Sequence, residues 1–216
     1  MGIITRITDF IARKNGGATT PDEYYELKGK GLERVLGPMH GYVGHAIIPY
    51  EIGGPVDMYY FAQPDGSTAF ATMELLNYDG SGPKKSSIGT YELVAFTRHR
   101  VTVPEPNPPF DAIENRIREL FTTIGRYSTS TVLNPRETAE VPMNDNEPIR
   151  CVIFDEYSKS GAPFRIGDKL HGLLLCVEVH PSELAYARAN GTAQLIDLLQ
   201  GAGHYPNSDL DRDAVA

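Results

Sequence analysis

The run Leu170-His171-Gly172-Leu173-Leu174-Leu175-Cys176-Val177-Glu178-Val179 constrains this chain more than any other segment. It is almost continuously apolar and lacks the alternation of a half-solvated strand. It therefore predicts a strand at the centre of a sheet. His180-Pro181-Ser182-Glu183 follows at once and predicts a helix start, with Pro in the first turn and Glu three residues after the cap. Asn190-Gly191 stops that helix. A second short one follows, carries Leu195, Ile196, Leu198 and Leu199, and ends at Gly201.

The front of the chain supplies the elements that must pack around this strand. Ile3, Ile4, Ile7, Phe10 and Ile11 predict a short amphipathic helix ending near Gly16-Gly17. Thr20-Pro21-Asp22-Glu23 opens a second helix bearing Tyr24, Leu27, Leu32, Val35 and Leu36, weakened in its middle by Gly29 and Gly31. These make an N-terminal helical segment of about residues 1–37. Strands are predicted at Gly44–Tyr50, Val56–Ala62, Thr68–Leu76, Gly89–Arg98 and Arg150–Asp155. Gln63-Pro64-Asp65-Gly66 is a turn, since Pro fixes φ and Gly accepts a positive one, so the second and third of these strands read as a hairpin. Phe110, Ile113, Ile117, Leu120, Phe121 and Ile124 form one apolar helical stripe, closed at Gly125. Residues 134–148 read as a surface loop. The connector Pro104 to Pro109 reads as a loop inside one domain spanning 1–216, with a sub-boundary at 104–109 as the alternative. The fold class expected is α+β: a mixed or mainly antiparallel sheet with flanking helices.

Composition narrows function by exclusion. Lys and Arg total 20 against 28 Asp and Glu, a formal charge of -8. A general nucleic-acid binder needs clustered Lys and Arg, so none is expected here. Most of the acidic excess follows the Pro-rich connector. Asp209, Asp211 and Asp213 crowd the end with only Arg212 among them, which points to a basic partner met by the C-terminal half. Cys151 and Cys176 sit in apolar runs and read as buried free thiols, not as a disulfide. No apolar stretch approaches the roughly 20 residues that span a membrane. No signal-peptide pattern opens the chain, so the cytoplasm is the default expectation. No Gly-x-Ser-x-Gly, His-Glu-x-x-His or Gly-x-Gly-x-x-Gly arrangement is present. Gly80-Ser81-Gly82-Pro83-Lys84-Lys85-Ser86 fails the phosphate-loop pattern, because Lys84 stands where the second Gly must precede the Lys. No cofactor is expected.

Two constellations remain. Cys176, Glu178 and His180 alternate along the central strand, and thiolate, carboxylate and imidazole are legitimate zinc ligands. They support the alternative of a metal-dependent hydrolase. Against it, Cys176 continues the apolar run, His180 occupies a cap position and Glu183 completes the capping box. Asp57, Glu74 and Glu92 lie in or beside predicted strands, where carboxylates need pairing or exposure. They form a polar surface that receives a partner, or one solvent-facing sheet face, or salt bridges to Arg98, Arg100 or Arg212.

The ordered set Val-Asp-Met-Tyr, Phe-Ala-Thr-Met-Glu-Leu-Leu, Tyr-Glu-Leu-Val-Ala-Phe, Leu-Leu-Leu-Cys-Val-Glu-Val-His-Pro-Ser-Glu-Leu and Gly-His-Tyr-Pro-Asn-Ser-Asp-Leu-Asp-Arg resembles the suppressor-of-fused-like domain family in its stand-alone bacterial form. The resemblance covers residues 24–213 and is most specific over 170–213. It implies a mixed α/β sandwich that works by binding protein without catalysis, plausible roles being regulation of a partner or immunity against a toxin. The chain is too short for the additional C-terminal region of the animal regulator, so nothing that region binds is carried over. By the same analogy, Asp57, Glu74, Glu92, Glu178, His180, Glu183 and Arg212 are the expected partner-binding positions. The identity of the partner and the oligomeric state are not encoded in any motif.

Overall fold

A seven-stranded sheet of order β1-β2-β3-β4-β9-β6-β5 organises the chain. The structure, a computed structural model, describes residues 15–143, 148–158 and 162–216. The helix expected over Ile3–Ile11 lies outside these. Helix α1 is Pro21–Leu36, followed by β1 Met39–Gly44, β2 Met58–Ala62, β3 Thr68–Ala71 and β4 Tyr91–Thr97. Helix α2, Pro108–Ser128, leads into β5 Thr138–Val141 and β6 Arg150–Glu156. A small ribbon, β7 Arg165–Ile166 with β8 Lys169–Leu170, precedes β9 Gly172–Val179; α3 Pro181–Asn190 and α4 Thr192–Gly201 close the series.

The apolar run is indeed interior. Strand β9 is buried at all eight positions, and it pairs parallel with β4 and antiparallel with β6. The remaining pairings of the large sheet are antiparallel, so the sheet is mixed. Strands from both sides of the 104–109 connector therefore share one sheet. Side chains alternate between two cores: Leu173, Leu175 and Val177 face α1, α3 and α4, whereas Leu174 and Cys176 face α2. All six residues of the predicted stripe on α2 are buried.

Four departures from the sequence expectation have local causes. The strand expected over Thr68–Leu76 ends at Ala71, because the N–H groups of Leu75 and Leu76 donate to the Glu92 carboxylate instead of a neighbouring strand. The strand expected over Gly44–Tyr50 lies earlier, at Met39–Gly44, because Asp57 draws the Ala46 N–H (2.8 Å) out of the ladder. Part of the expected loop 134–148 is the short edge strand β5, formed by pairing with β6 and invisible as an apolar pattern. Gly125 does not end α2. It lies inside the helix, where a Cβ would stand 2.8 Å from the Tyr50 hydroxyl and 2.9 Å from Leu75 Cδ2.

The glycines of α1 have a similar explanation. Gly31 lets the helix press on the β7 backbone: an added Cβ would fall 2.0 Å from the Arg165 carbonyl oxygen. At Gly29 it would meet only the Met39 and Met73 methyls, at 3.6 and 3.7 Å. Alanine favours a helix over glycine by about 1 kcal/mol. Gly29→Ala should therefore raise stability by up to about 1 kcal/mol, and Gly31→Ala should lower it by about 1–3 kcal/mol through overpacking. Urea denaturation of the two variants checks both signs.

Candidate functional site

Strand register divides the expected site residues into two groups. Glu92 is paired with Leu173 near the start of β9, whereas Glu178 lies five residues further along that strand, about 16 Å at roughly 3.3 Å per residue. Asp57 precedes β2 and Glu74 follows β3, so both lie at the Glu92 end. His180, Glu183 and Arg212 lie at the Glu178 end. The structure does not bring the seven together into one surface.

At the first end, the partner of Glu92 is none of the arginines named above. It is Lys28, whose Nζ lies 3.0 Å from Glu92 Oε1, with Lys28 only 1% and Glu92 0% exposed. The ammonium also donates to the carbonyls of Met73 and Leu76. The carboxylate accepts from the Thr72 hydroxyl (2.7 Å), Leu76 N (2.9 Å) and Leu75 N (3.3 Å). Residues 72–76 thus wrap the ion pair and bind both of its charges. Asp57 accepts from Ala46 N and meets His45 Nδ1 at 2.6 Å.

Glu74 differs from both. It is part-buried; its Oε2 accepts from Met73 N at 3.2 Å, and its Oε1 is shielded from solvent without a partner. Burial, then the neighbouring Glu92 carboxylate, pushes the Glu74 carboxyl up to about 8. It lines a cavity of about 150 Å³ with Pro21, Tyr24, Tyr25, Lys28 and Glu51. The hydroxyls of Tyr25 and Tyr59 are hydrogen-bonded beside it. Outside this cavity the loop after β1 exposes Ile47 fully, Ile52 at 75% and Ile48 at 53%.

The second end is built of satisfied pairs. Arg116 grips Glu178 with Nε at 2.7 Å and Nη2 at 2.5 Å. Arg212 grips Glu183 with two bonds of 2.6 and 2.8 Å, and Glu183 also accepts from His180 N and Val215 N. Burial pushes Glu183 up, but these four donors outweigh it and hold the carboxyl below its ordinary range. His180 Nε2 lies 2.9 Å from the Arg212 carbonyl. The acidic tail is likewise engaged: Asp209 is buried and accepts from the Thr97 hydroxyl and Arg98 N, and Asp211 pairs with Arg98.

Metal ligation by Cys176, Glu178 and His180 finds no geometric support. Cys176 faces the α2 core, where burial raises its thiol far above the usual range, and Glu178 and His180 have the partners given above. Among the described residues, the one group of three ligand atoms within 4.8 Å is His99, Asp209 and Asp211. A cation there would compete with the Arg98 guanidinium. No helix among the described residues is long and apolar enough to cross a membrane.

No protein-family model matches the chain, and no curated protein matches it by sequence. Among solved structures, the crystal structure of the Sufu-Fu complex contains a chain similar to this one. It has 15% identity and a TM-score of 0.56, with 90% of this chain and 91% of that chain covered. At that identity the likeness is one of fold, and the fold is the Sufu-like α+β architecture expected from the sequence.

Lys28 is the buried partner of Glu92 that the sequence reading did not single out. Its signal was present: it falls four residues after Tyr24 and four before Leu32, inside the apolar stripe of α1. Glu74 gives a stability signature. Its native pKa lies above the roughly 4.3 of an unfolded chain, so between these values the folded state holds a proton that the unfolded state releases. That contribution is complete below the lower value and is lost as pH rises toward about 8. Glu74→Gln should flatten the fall in stability between about pH 5 and about pH 8, as chemical denaturation across that range will show.

Proposed function

We propose that the protein is a binding module for another protein and that the Glu74 end of the sheet is its docking face. The observation that carries this reading is the juxtaposition at that end. A loop exposing Ile47, Ile48 and Ile52 adjoins a cavity lined by Tyr24, Tyr25, Glu51 and the unpartnered carboxyl of Glu74. Exposed apolar side chains beside aromatic and polar groups are the usual composition of an interface. The acids and bases of the opposite end hold one another, so they offer a partner less. The fold likeness to a chain of the Sufu-Fu complex agrees with a protein-binding role.

The finer form of the reading is an immunity or regulatory protein that neutralises a partner such as a toxin. Because Glu51 and Asp57 face this end, the partner is expected to be basic where it touches them, and binding should weaken as salt rises. The test is capture from the source cell followed by calorimetry on the protein obtained. The double variant Ile47→Asp, Ile52→Asp should bind it at least about tenfold more weakly, equivalent to about 1.4 kcal/mol. Arg116→Ala, at the far end, should leave binding of the folded protein unchanged. Unaltered affinity in the loop variant, or no partner tighter than about 10 μM, counts against the reading.

A further inference from the structure

We propose that the cavity beside Glu74 receives the ammonium group of a lysine side chain presented by the partner. This deepens the preceding proposal and rests on its docking face. Three observations identify the ligand chemistry.

The first is the missing partner. Oε1 of Glu74 is shielded from water and accepts nothing, although buried carboxyl oxygens are normally paired. The neighbouring carboxyl oxygens that are not solvent-exposed have donors: both oxygens of Glu92, both of Asp57, and Oε2 of Glu74 itself. As a carboxylate, Glu74 therefore calls for one further hydrogen-bond donor, at Oε1.

The second is the wall. Lys28 Nζ already lies 5.4 Å from the Tyr24 ring centroid and 5.7 Å from that of Tyr25, a distance at which an aromatic face attracts a cation. Tyr78 stands edge-on to Tyr24 with centroids 6.0 Å apart. The charge of Lys28 is matched by Glu92 at 3.0 Å. The formal balance of the groups facing the cavity is then set by Glu51, with Asp57 behind the Tyr25–Tyr59 pair, and by Glu74 once it ionises. It favours a cation.

The third is the count of atoms. A guanidinium recognises a carboxylate through a two-pronged fork and needs both oxygens, whereas an ammonium is a compact point charge that can use one. With Met73 N on Oε2, a donor that needs only Oε1, such as an ammonium, fits better than a fork that must share both oxygens. A metal ion would need several ligand atoms converging, and no such group occurs here among the described residues.

Binding should be linked to pH. Burial and Glu92 keep Glu74 protonated at neutral pH, and Lys28, Asp57, Glu51 and the hydroxyls of Tyr24, Tyr25, Tyr59 and Tyr78 are the other titratable groups around it. An arriving ammonium requires the carboxylate, so a proton leaves Glu74 for solvent as the cation enters. Affinity should rise by nearly tenfold per pH unit below about 8 and level off above it.

The probe is n-butylammonium chloride, titrated into the full chain and followed by amide nuclear magnetic resonance at about pH 6.5 and about pH 8.5. The expected result is a saturable shift of the amides of Tyr25, Met73, Glu74 and Asn77, with millimolar affinity at the higher pH and binding about tenfold or more weaker at the lower. n-Propylguanidinium should bind more weakly, and n-butanol should give no saturable shift. Glu74→Gln, its fold confirmed by its melting and its spectrum, should abolish the effect. Absence of a saturable shift at either pH, equal shifts in Glu74→Gln, or tighter binding of the guanidinium overturns the proposal. The probe contains no protein, so its failure leaves the capture experiment standing, and failure of the capture experiment leaves the cation site standing.

Discussion

The ion pair between Lys28 and Glu92 is the interaction on which the rest of this end of the molecule depends. It ties α1 to the sheet at the start of β4 and turns residues 72–76 around itself. Two buried ions have a large desolvation cost, and their mutual attraction offsets it only when the remaining protons and lone pairs are satisfied. Here they are satisfied by the carbonyls of Met73 and Leu76 and by the amides of Leu75 and Leu76. The backbone that serves the pair cannot also continue β3. The early end of that strand and the position of Glu74 follow from it.

The two ends of the sheet solve the same electrostatic problem differently. At the β9 terminus, Arg116 and Arg212 are placed against Glu178 and Glu183, and the last residues of the chain are strapped over Phe96, Thr97 and Arg98. That end fixes architecture. At the other, Lys28 is paired with Glu92, and Oε1 of Glu74 is left over. An unpaired, partly buried acid beside tyrosines and an exposed isoleucine loop is an unfavourable arrangement for the free protein alone. It makes sense where an incoming group completes it.

Much of the architecture was legible in the sequence because it rests on local signals. The apolar run of β9, the stripe of α2, the Pro-Asp-Gly hairpin turn and the Pro starts of α1 and α3 each act over a few residues. β5 was not legible, since a polar edge strand has no pattern of its own. The bend at 72–76 was not legible either, because its cause lies 20 residues later in Glu92 and some 45 residues earlier in Lys28. Asp57, Glu74 and Glu92 gather at one end of the sheet. What sequence spacing could not supply was which acid has a partner. Nor could it show that Asp209 and Asp211, conspicuous in the acidic tail, are held by Thr97 and Arg98.

The central claim is that Lys28 and Glu92 are coupled and together hold this end in place. A double-mutant cycle with Lys28→Met and Glu92→Gln, read by denaturant unfolding, tests it most directly. Each single variant leaves the other partner buried without its opposite charge and is expected to lose about 3–5 kcal/mol. The double variant should lose less than the sum of the two by about 2 kcal/mol or more. Additive losses, or single variants that unfold like the parent protein, would contradict the account.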